Sequence, residues 1–422
     1  MNSNHDPARR GLLKAAGAAL SPLILPRAAR GANDRIALAF IGLGAMGGGN
    51  LGYAMKQPGI AVAALSDVYV PRLDKAMADA KAGGHDPKPV HDFRQILADR
   101  SIDAVCLSTP DHWHAYMAIE ACKAGKDVWV EKPVSTTIDE GQRMVEAARK
   151  YGRVVQAGLM QRSGDVFQKA AEIVRSGALG RISFVRTWVY SNSPIEGMGA
   201  PADGDPPAEL NWDLWQGPAP ARRFNPNRFF HGNFRRFWDY AGGTMTDWGV
   251  HWLDIVQMAN NDAMPSAAVA IGGKYVTTDN RETPDTMLAT FEYPGFAAIF
   301  ELKEYNGTGG GITFYGTNGT LFVNRSICQV TPEKNSSLAP FEMKRANSAN
   351  LDHWANFLDC MKTRKHPICD IESGYRSSAT CMLGNIALRS RMRVDWDGRT
   401  VKQSEAKALL SRANRHPWEI TL

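Results

Sequence analysis

After its first 31 residues the chain has no run approaching the ~18 uncharged apolar residues that a membrane-spanning helix needs, so no helical anchor is expected there. Cysteine patterning is also lacking. The six cysteines (Cys106, Cys122, Cys328, Cys360, Cys369 and Cys381) include no C-x-x-C pair and no Cys/His group with zinc spacing. That argues against a structural zinc site and leaves free, mostly buried thiols as the expectation. Nor is there a concentrated positive face. The net charge is +6, but Arg9, Arg10, Lys14, Arg27 and Arg30 against Asp6 place +4 of it in the first 31 residues and leave +2 for the rest. The basic balance therefore belongs largely to that leader, and no nucleic-acid partner is indicated. About 390 further residues of ordinary apolar and charged content exceed one typical domain and suggest two.

The leader has a pattern of its own. Arg9-Arg10-Gly11-Leu12-Leu13-Lys14 is a twin-arginine motif, and Ala15 to Leu25 is a weakly apolar, Ala-rich run broken by Pro22. Ala29-Arg30-Gly31 then forms a small-x-small cleavage site. In that order the segments read as a twin-arginine export signal over residues 1–31. The expectation is a protein that folds before export, is handed to the twin-arginine translocase and works in the periplasm.

The next stretch is legible almost residue by residue. Ile36 to Ile41 is a continuous apolar run, as expected of a strand covered on both faces. Gly42-Leu43-Gly44-Ala45-Met46-Gly47 follows and opens a helix through Leu51 and Met55. Glycines there let the backbone turn tightly and approach a pyrophosphate, whose charge a helix N-terminus stabilises. A second strand, Ile60 to Leu65, leads to Asp67, placed to hold ribose hydroxyls and to disfavour a 2′-phosphate. NAD is the expected cofactor, with NADP admitted because Arg72 lies close by. Ala104 to Ser108 is another buried strand, Thr109 to His114 turns off its end, and a helix runs from about Ala115 to Ala124. The pattern is a doubly wound α/β domain over residues 32–155, with a second domain over 156–422.

The strand Asp127 to Val130 ends in Glu131-Lys132-Pro133. A lysine on a rigid corner at the carboxyl edge of a parallel sheet sits where such sheets hold ligands. Further on, Asn192 to Asn227 is rich in Pro, Gly and Asp and reads as a long loop. Asp247 and His251 are four apart, which on a helix puts both on one face, a carboxylate and an imidazole able to position a hydroxyl and exchange its proton. Strands are expected at Ile182 to Tyr190, Thr286 to Tyr293, Ala297 to Leu302, Ile312 to Tyr315 and Thr320 to Val323. Turns at Pro294-Gly295 and Asn318-Gly319 suit an antiparallel sheet. His112 and His114 lack a third ligand, so no metal is expected.

The glycine fingerprint at Gly42, the stretch Ser108-Thr109-Pro110-Asp111-His112-Trp113-His114 and the Glu131-Lys132-Pro133 corner together resemble the Gfo/Idh/MocA oxidoreductase family. The resemblance spans essentially all of residues 32–422. It implies an α/β protein with an N-terminal Rossmann domain and a C-terminal α+β domain on a large, mostly antiparallel open sheet, the final helix and tail packing back on the first domain. It implies a nicotinamide at the domain junction, with Gly42, Gly44, Ala45, Met46, Gly47, Asp67, Ser108, Thr109, Pro110, His114, Glu131, Lys132 and Gln161 on the cofactor side. Arg162, Trp238, Asp247 and His251 are the implied substrate side, and Lys132, Asp247 and His251 the catalytic set. On ordinary pKa values His251 is the better base near neutral pH, Lys132 holds the substrate oxygen, and Asp247 orients the sugar and His251.

The export signal then constrains the chemistry. The periplasm has no evident supply of NAD, so the cofactor is expected to be loaded before export and to stay tightly bound while it cycles. Two reactions meet that condition: oxidation of one sugar or polyol coupled to reduction of another, and redox-neutral glycoside cleavage through transient oxidation and elimination. A non-catalytic sugar- or dinucleotide-binding protein is the alternative of a different class. The open sheet suggests a homo-oligomer, a dimer or tetramer.

Overall fold

The structure, a computed structural model, describes residues 35–422; the twin-arginine motif and the apolar run after it lie outside the described residues. Six parallel strands form the first sheet: β1 (Ile36–Ile41), β2 (Ile60–Ser66), β3 (Lys88–Val90), β4 (Ala104–Leu107), β5 (Asp127–Val130) and β6 (Val155–Ala157). Their order is β3-β2-β1-β4-β5-β6, so the winding reverses between β1 and β4. All side chains of β4 and β5 are buried, as expected of strands covered on both faces. Crossovers carry α1 (Ala45–Met55), α2 (Val70–Ala82), α3 (Asp111–Lys123) and α4 (Ile138–Lys150). The last starts on a capping box: Thr137 Oγ1 accepts from the Glu140 amide, and Glu140 Oε2 accepts from the Thr137 amide. The expected division between residues 155 and 156 falls inside β6, which belongs to this first sheet.

The second sheet has nine strands in the order β14-β13-β12-β11-β7-β10-β9-β8-β15. They are β7 (Ile182–Tyr190), β8 (Ala267–Gly273), β9 (Thr286–Tyr293), β10 (Phe296–Lys303), β11 (Gly309–Gly316), β12 (Gly319–Val323), β13 (Ile327–Pro332), β14 (Phe341–Lys344) and β15 (Val394–Asp395). Every pairing is antiparallel except β7 with β10. Alternation decides its faces: Met287, Ala289, Phe291 and Tyr293 of β9 are buried against helices, while Leu288 is exposed beside Val269 and Ile271. The covering helices include α5 (Asp165–Arg175), α6 (Val250–Ala259) and the mostly buried α8 (Ile371–Ser390).

Two aromatic contacts are among those that join the second half to the first. α7 (Ala349–Thr363) lays Trp354 flat on Trp129 of β5, with ring centroids 4.2 Å apart and planes 6° from parallel. The Trp354 indole N–H also donates to Asn50 of α1 at 3.2 Å. Near the C-terminus, Trp418 sits edge-on to Trp113 at 4.8 Å and packs on Phe93. The tail thus returns to the first domain, although α8 itself packs against the second sheet as well.

Residues 192–227, read from composition as a long loop, contain short helices at Trp212–Gln216 and Pro226–Phe229. Their aromatics join those that follow in a core of its own, in which Trp212, Trp215, Phe224, Phe229, Phe234 and Tyr240 are buried together. All six cysteines are free and buried. No helix among the described residues is long and apolar enough to cross a membrane.

Replacing Trp354 by alanine empties a fully buried site between the halves and strands the Asn50 carbonyl. A loss of about 3–5 kcal/mol is expected, read as a lower urea midpoint.

Candidate functional site

A cavity of about 410 Å³ opens at the reversal between β1 and β4. Gly42, at φ +84°, makes the turn off β1, and a side chain there would strike the Ser108–Thr109 backbone at 2.7–2.8 Å. Gly47 serves packing: an added Cβ would lie 1.9 Å from the Gly42 carbonyl, so glycine lets α1 approach the strand. It does not line the cavity, whereas Gly44, Ala45 and Met46 do. The N-terminus of α1 has no side-chain cap, which leaves its first amides for an anion. A Cβ on Gly44 would meet nothing within 4 Å, so the backbone there faces open space. Asp67 closes the ring, but both its oxygens accept backbone amides, from Leu43 at 2.7 Å and Tyr69 at 2.9 Å. It locks the glycine turn to the end of β2 as well as facing the cavity. Burial raises its pKa against the lowering effect of the Leu43 bond. Arg72 lies beside it with its guanidinium over the Phe229 ring at 4.5 Å. An uncapped helix start, a side-chain-free approach at Gly44 and a carboxylate at the second strand's end fit a dinucleotide.

The Glu131-Lys132-Pro133 corner leaves β5 on the opposite wall. Glu131 is bracketed rather than free: Asn50 of α1 donates to Oε1 at 2.9 Å and to Ser108 Oγ at 3.1 Å. His114 fixes the corner from beneath. Its Nδ1 faces the Pro133 carbonyl at 2.7 Å and its Nε2 the Thr109 carbonyl at 2.9 Å. Burial pushes its pKa down to about 4, so the ring is neutral at physiological pH and donates through one nitrogen. His112 faces another way, with Nε2 3.0 Å from the Trp215 carbonyl, and pins the aromatic segment to α3. Neither imidazole is arranged as half of a metal pair.

The second half supplies the partner of Lys132. Residues Met245–Gly249 form a π-turn that runs into α6. This widened turn removes the simple four-residue register the sequence suggested. Asp247 points to Lys132, whose Nζ lies 2.5 Å from its Oδ1 and 2.9 Å from its carbonyl oxygen. Arg235 Nε donates to the same Oδ1 at 3.0 Å. Burial would raise the Asp247 pKa, but the charges of Lys132 and Arg235 outweigh it and hold the carboxyl well below its ordinary value. No hydrogen bond joins Asp247 to His251. The His251 imidazole is buried with Nδ1 unpartnered, and burial with the Lys132 charge keeps it neutral, its pKa well below the usual value. The expectation that Asp247 orients His251 is therefore replaced by Asp247 orienting Lys132.

Neither Asp247 nor His251 lines the cavity itself, and three other residues are elsewhere than expected. Gln161 does not line the cavity; its amide donates to the His251 carbonyl at 2.9 Å and accepts from Arg325 Nε at 2.8 Å. Arg162 is buried between Asp254 at 2.8 Å and Asp262 at 2.6 Å, an ion-pair network inside the second domain. Trp238 packs under Arg389 at 4.9 Å, outside the cavity.

Among the cavity residues that sequence reading missed are Asp111, Trp215, Phe229 and Arg235. Asp111 opens α3 and is 3 % exposed, with Oδ2 unpartnered. Burial raises its pKa to about 7, against the pull of Arg235 and Lys132. The signal available was an acid immediately after Pro110 at a helix start; its burial was not readable.

With this geometry in hand, two family models match nearly the whole described chain. Residues 36–159 match "Oxidoreductase family, NAD-binding Rossmann fold", and residues 195–420 match "Oxidoreductase family, C-terminal alpha/beta domain". The chain belongs to the Gfo/Idh/MocA oxidoreductase family. Among curated relatives, an inositol 2-dehydrogenase of Rubrobacter xylanophilus is 33% identical over 171 residues, 40% of this chain and 47% of that protein. A "Glycosyl hydrolase family 109 protein" of Saccharopolyspora erythraea is 32% identical over 29% of this chain and 28% of its own length. The chain thus spans less than half the length of these curated relatives. Among solved structures, the WlbA dehydrogenase from Bordetella pertussis in complex with NADH and UDP-GlcNAcA is 21% identical, with a TM-score of 0.66 over 86% of this chain and 99% of that one. That likeness is one of fold: a Rossmann-type sheet followed by a mostly antiparallel mixed sheet.

Asp111 makes stability depend on pH. With a folded pKa near 7 and an ordinary value of 3.8, the native state holds the proton longer than the unfolded chain. Stability therefore falls as pH rises from about 4 to 7, by about 1.4 kcal/mol per unit. Asp111→Asn should melt like wild type at pH 4 and higher than wild type at pH 8, as read by calorimetry.

Proposed function

We propose that the chain is a nicotinamide-dependent oxidoreductase acting on a CH–OH carbon of a sugar, polyol or glycoside. The observation that carries this reading is the Lys132–Asp247 pair. It sets an ammonium of the first domain, which lines a cavity that fits a dinucleotide, against a carboxylate of the second. A bound nicotinamide would supply the hydride acceptor or donor. The chain's own residues manage the oxygen and its proton. Lys132 donates to the substrate oxygen and stabilises negative charge developing there. Asp247, held ionised, keeps the ammonium in place and accepts from a neighbouring hydroxyl. His251, neutral and unpartnered at Nδ1, is the proton acceptor. Gly42, Gly44, Ala45, Met46, Asp67, Ser108, Thr109 and Pro110 hold the dinucleotide. Asp67 favours NAD over NADP.

Redox-neutral glycoside cleavage is a second reading, favoured by Asp111. Such cleavage needs a group that gives a proton to the departing oxygen, and a cavity acid with a pKa near 7 suits that task. The similarity to a protein named for glycoside hydrolysis agrees with it. On either reading the twin-arginine leader makes this a periplasmic enzyme that keeps its cofactor through the cycle, and the exposed sheet face serves self-association.

Lys132→Met should cut turnover by roughly 10²- to 10³-fold while leaving NAD binding nearly intact, as judged by steady-state absorbance and calorimetric titration. Unchanged turnover would remove Lys132 from the mechanism. Protein purified without added cofactor and then denatured should release about one dinucleotide per chain in mass spectrometry. Release of none would refute retention.

A further inference from the structure

The proposed chemistry leaves one cation beside the site without a task. Arg325 stands in the turn between β12 and β13, half-buried. Its Nε donates to Gln161 Oε1 at 2.8 Å, and Gln161 in turn holds the His251 carbonyl at 2.9 Å. Two hydrogen bonds therefore tie this guanidinium to the backbone of the proton acceptor. Its carbon lies 4.7 Å from the centroid of Trp248, which is 37 % exposed, and 6.0 Å from that of Trp252.

Among the described residues the terminal amino groups of Arg325 have no hydrogen-bond partner and no carboxylate within ion-pair distance. The acid whose charge reaches it is Asp247, and that carboxylate is already shared by Lys132 and Arg235. Arg345 adds a second positive charge nearby. A partly desolvated guanidinium with no anion is costly, and the Trp248 face offsets only part of that cost. The other arginines that line or support the site are paired or stacked: Arg235 on Asp247, Arg162 on Asp254, Arg72 over Phe229. Arg325 alone combines open terminal amino groups, an exposed aromatic plate beside it and a link to His251 through Gln161.

We propose that the substrate is an acidic sugar, a hexose derivative carrying a carboxylate, which docks its ring near Trp248 and its carboxylate on Arg325. One planar fork matches one carboxylate bidentately, whereas a doubly charged phosphate would call for a second buried cation. This deepens the sugar-oxidoreductase reading and rests on it.

The test compares matched pairs, D-glucuronate with D-glucose and D-galacturonate with D-galactose, on wild type, Arg325→Met and Arg325→Lys. Binding is read by thermal shift with NAD present, and turnover by nicotinamide absorbance. In at least one pair the acid should bind more tightly than the neutral sugar by roughly ten- to hundredfold. Arg325→Met should collapse that ratio, and Arg325→Lys should restore part of it. Acid and neutral members that bind alike, or a Met variant that leaves the ratio unchanged, would overturn the proposal. Acid binding lost in the Met variant but never accompanied by nicotinamide reduction would uphold the anchor and count against the dehydrogenase reading. Turnover of neutral sugars alone, with the same acid-to-neutral ratio in all three proteins, would uphold the dehydrogenase and reject the anchor.

Discussion

The site depends on a single shared carboxylate. Asp247 carries the charges of Lys132 and Arg235 on one oxygen and also offers Lys132 its backbone carbonyl. Each partner comes from a different part of the chain: a strand end in the Rossmann sheet, the aromatic segment after β7, and the π-turn before α6. The attraction between them is strengthened by their low exposure, 9 % for Lys132 and 21 % for Asp247. Without the acid, two cations would face each other at a buried wall. Without either cation, Asp247 would sit in a setting that otherwise raises carboxyl pKa values, as it does for Asp111 nearby.

Around this pair the chain builds brackets rather than free groups. Asn50 holds Glu131 and Ser108, His114 lies between the Pro133 and Thr109 carbonyls and donates to one of them, and Gln161 grips the His251 backbone. These contacts fix where Lys132 and His251 stand. Electrostatic chemistry of this kind rewards such preorganisation, because donors already in place cost no reorganisation when charge develops.

Much of this was legible in the residues, for identifiable reasons. Buried parallel strands announce themselves as unbroken apolar runs, so β1, β2, β4 and the corner after β5 were readable, and the glycine turn lay in register with them. The antiparallel strands β9 to β12 were readable from alternation and turns. β8, β13 and β14 were not: β8 is an Ala- and Gly-rich run without polar alternation, and β13 and β14 alternate over only 6 and 4 residues. Residues 192–227 read as loop by composition, yet this segment and the turns just after it bury aromatics that deliver Trp215, Phe229 and Arg235 to the cavity. Nothing in a four-residue spacing reveals a π-turn, so the Asp247–His251 pairing looked direct when it is not. Arg162 and Gln161 stand next to each other in sequence, but one is consumed by two acids inside the second domain and the other supports His251.

The flat stack of Trp354 on Trp129 bears on how the chain could have been assembled. Each half matches its own family model, which invites the view of two interchangeable modules. Yet the first half alone would present a bare indole face at Trp129 and a lysine stripped of its counter-ion. The second would keep Asp247 on Arg235 alone and carry an unpaired tryptophan. A recombinant that exchanged one half would have to bring a matching partner for each side of that stack, so the two recognisable domains form one packing unit.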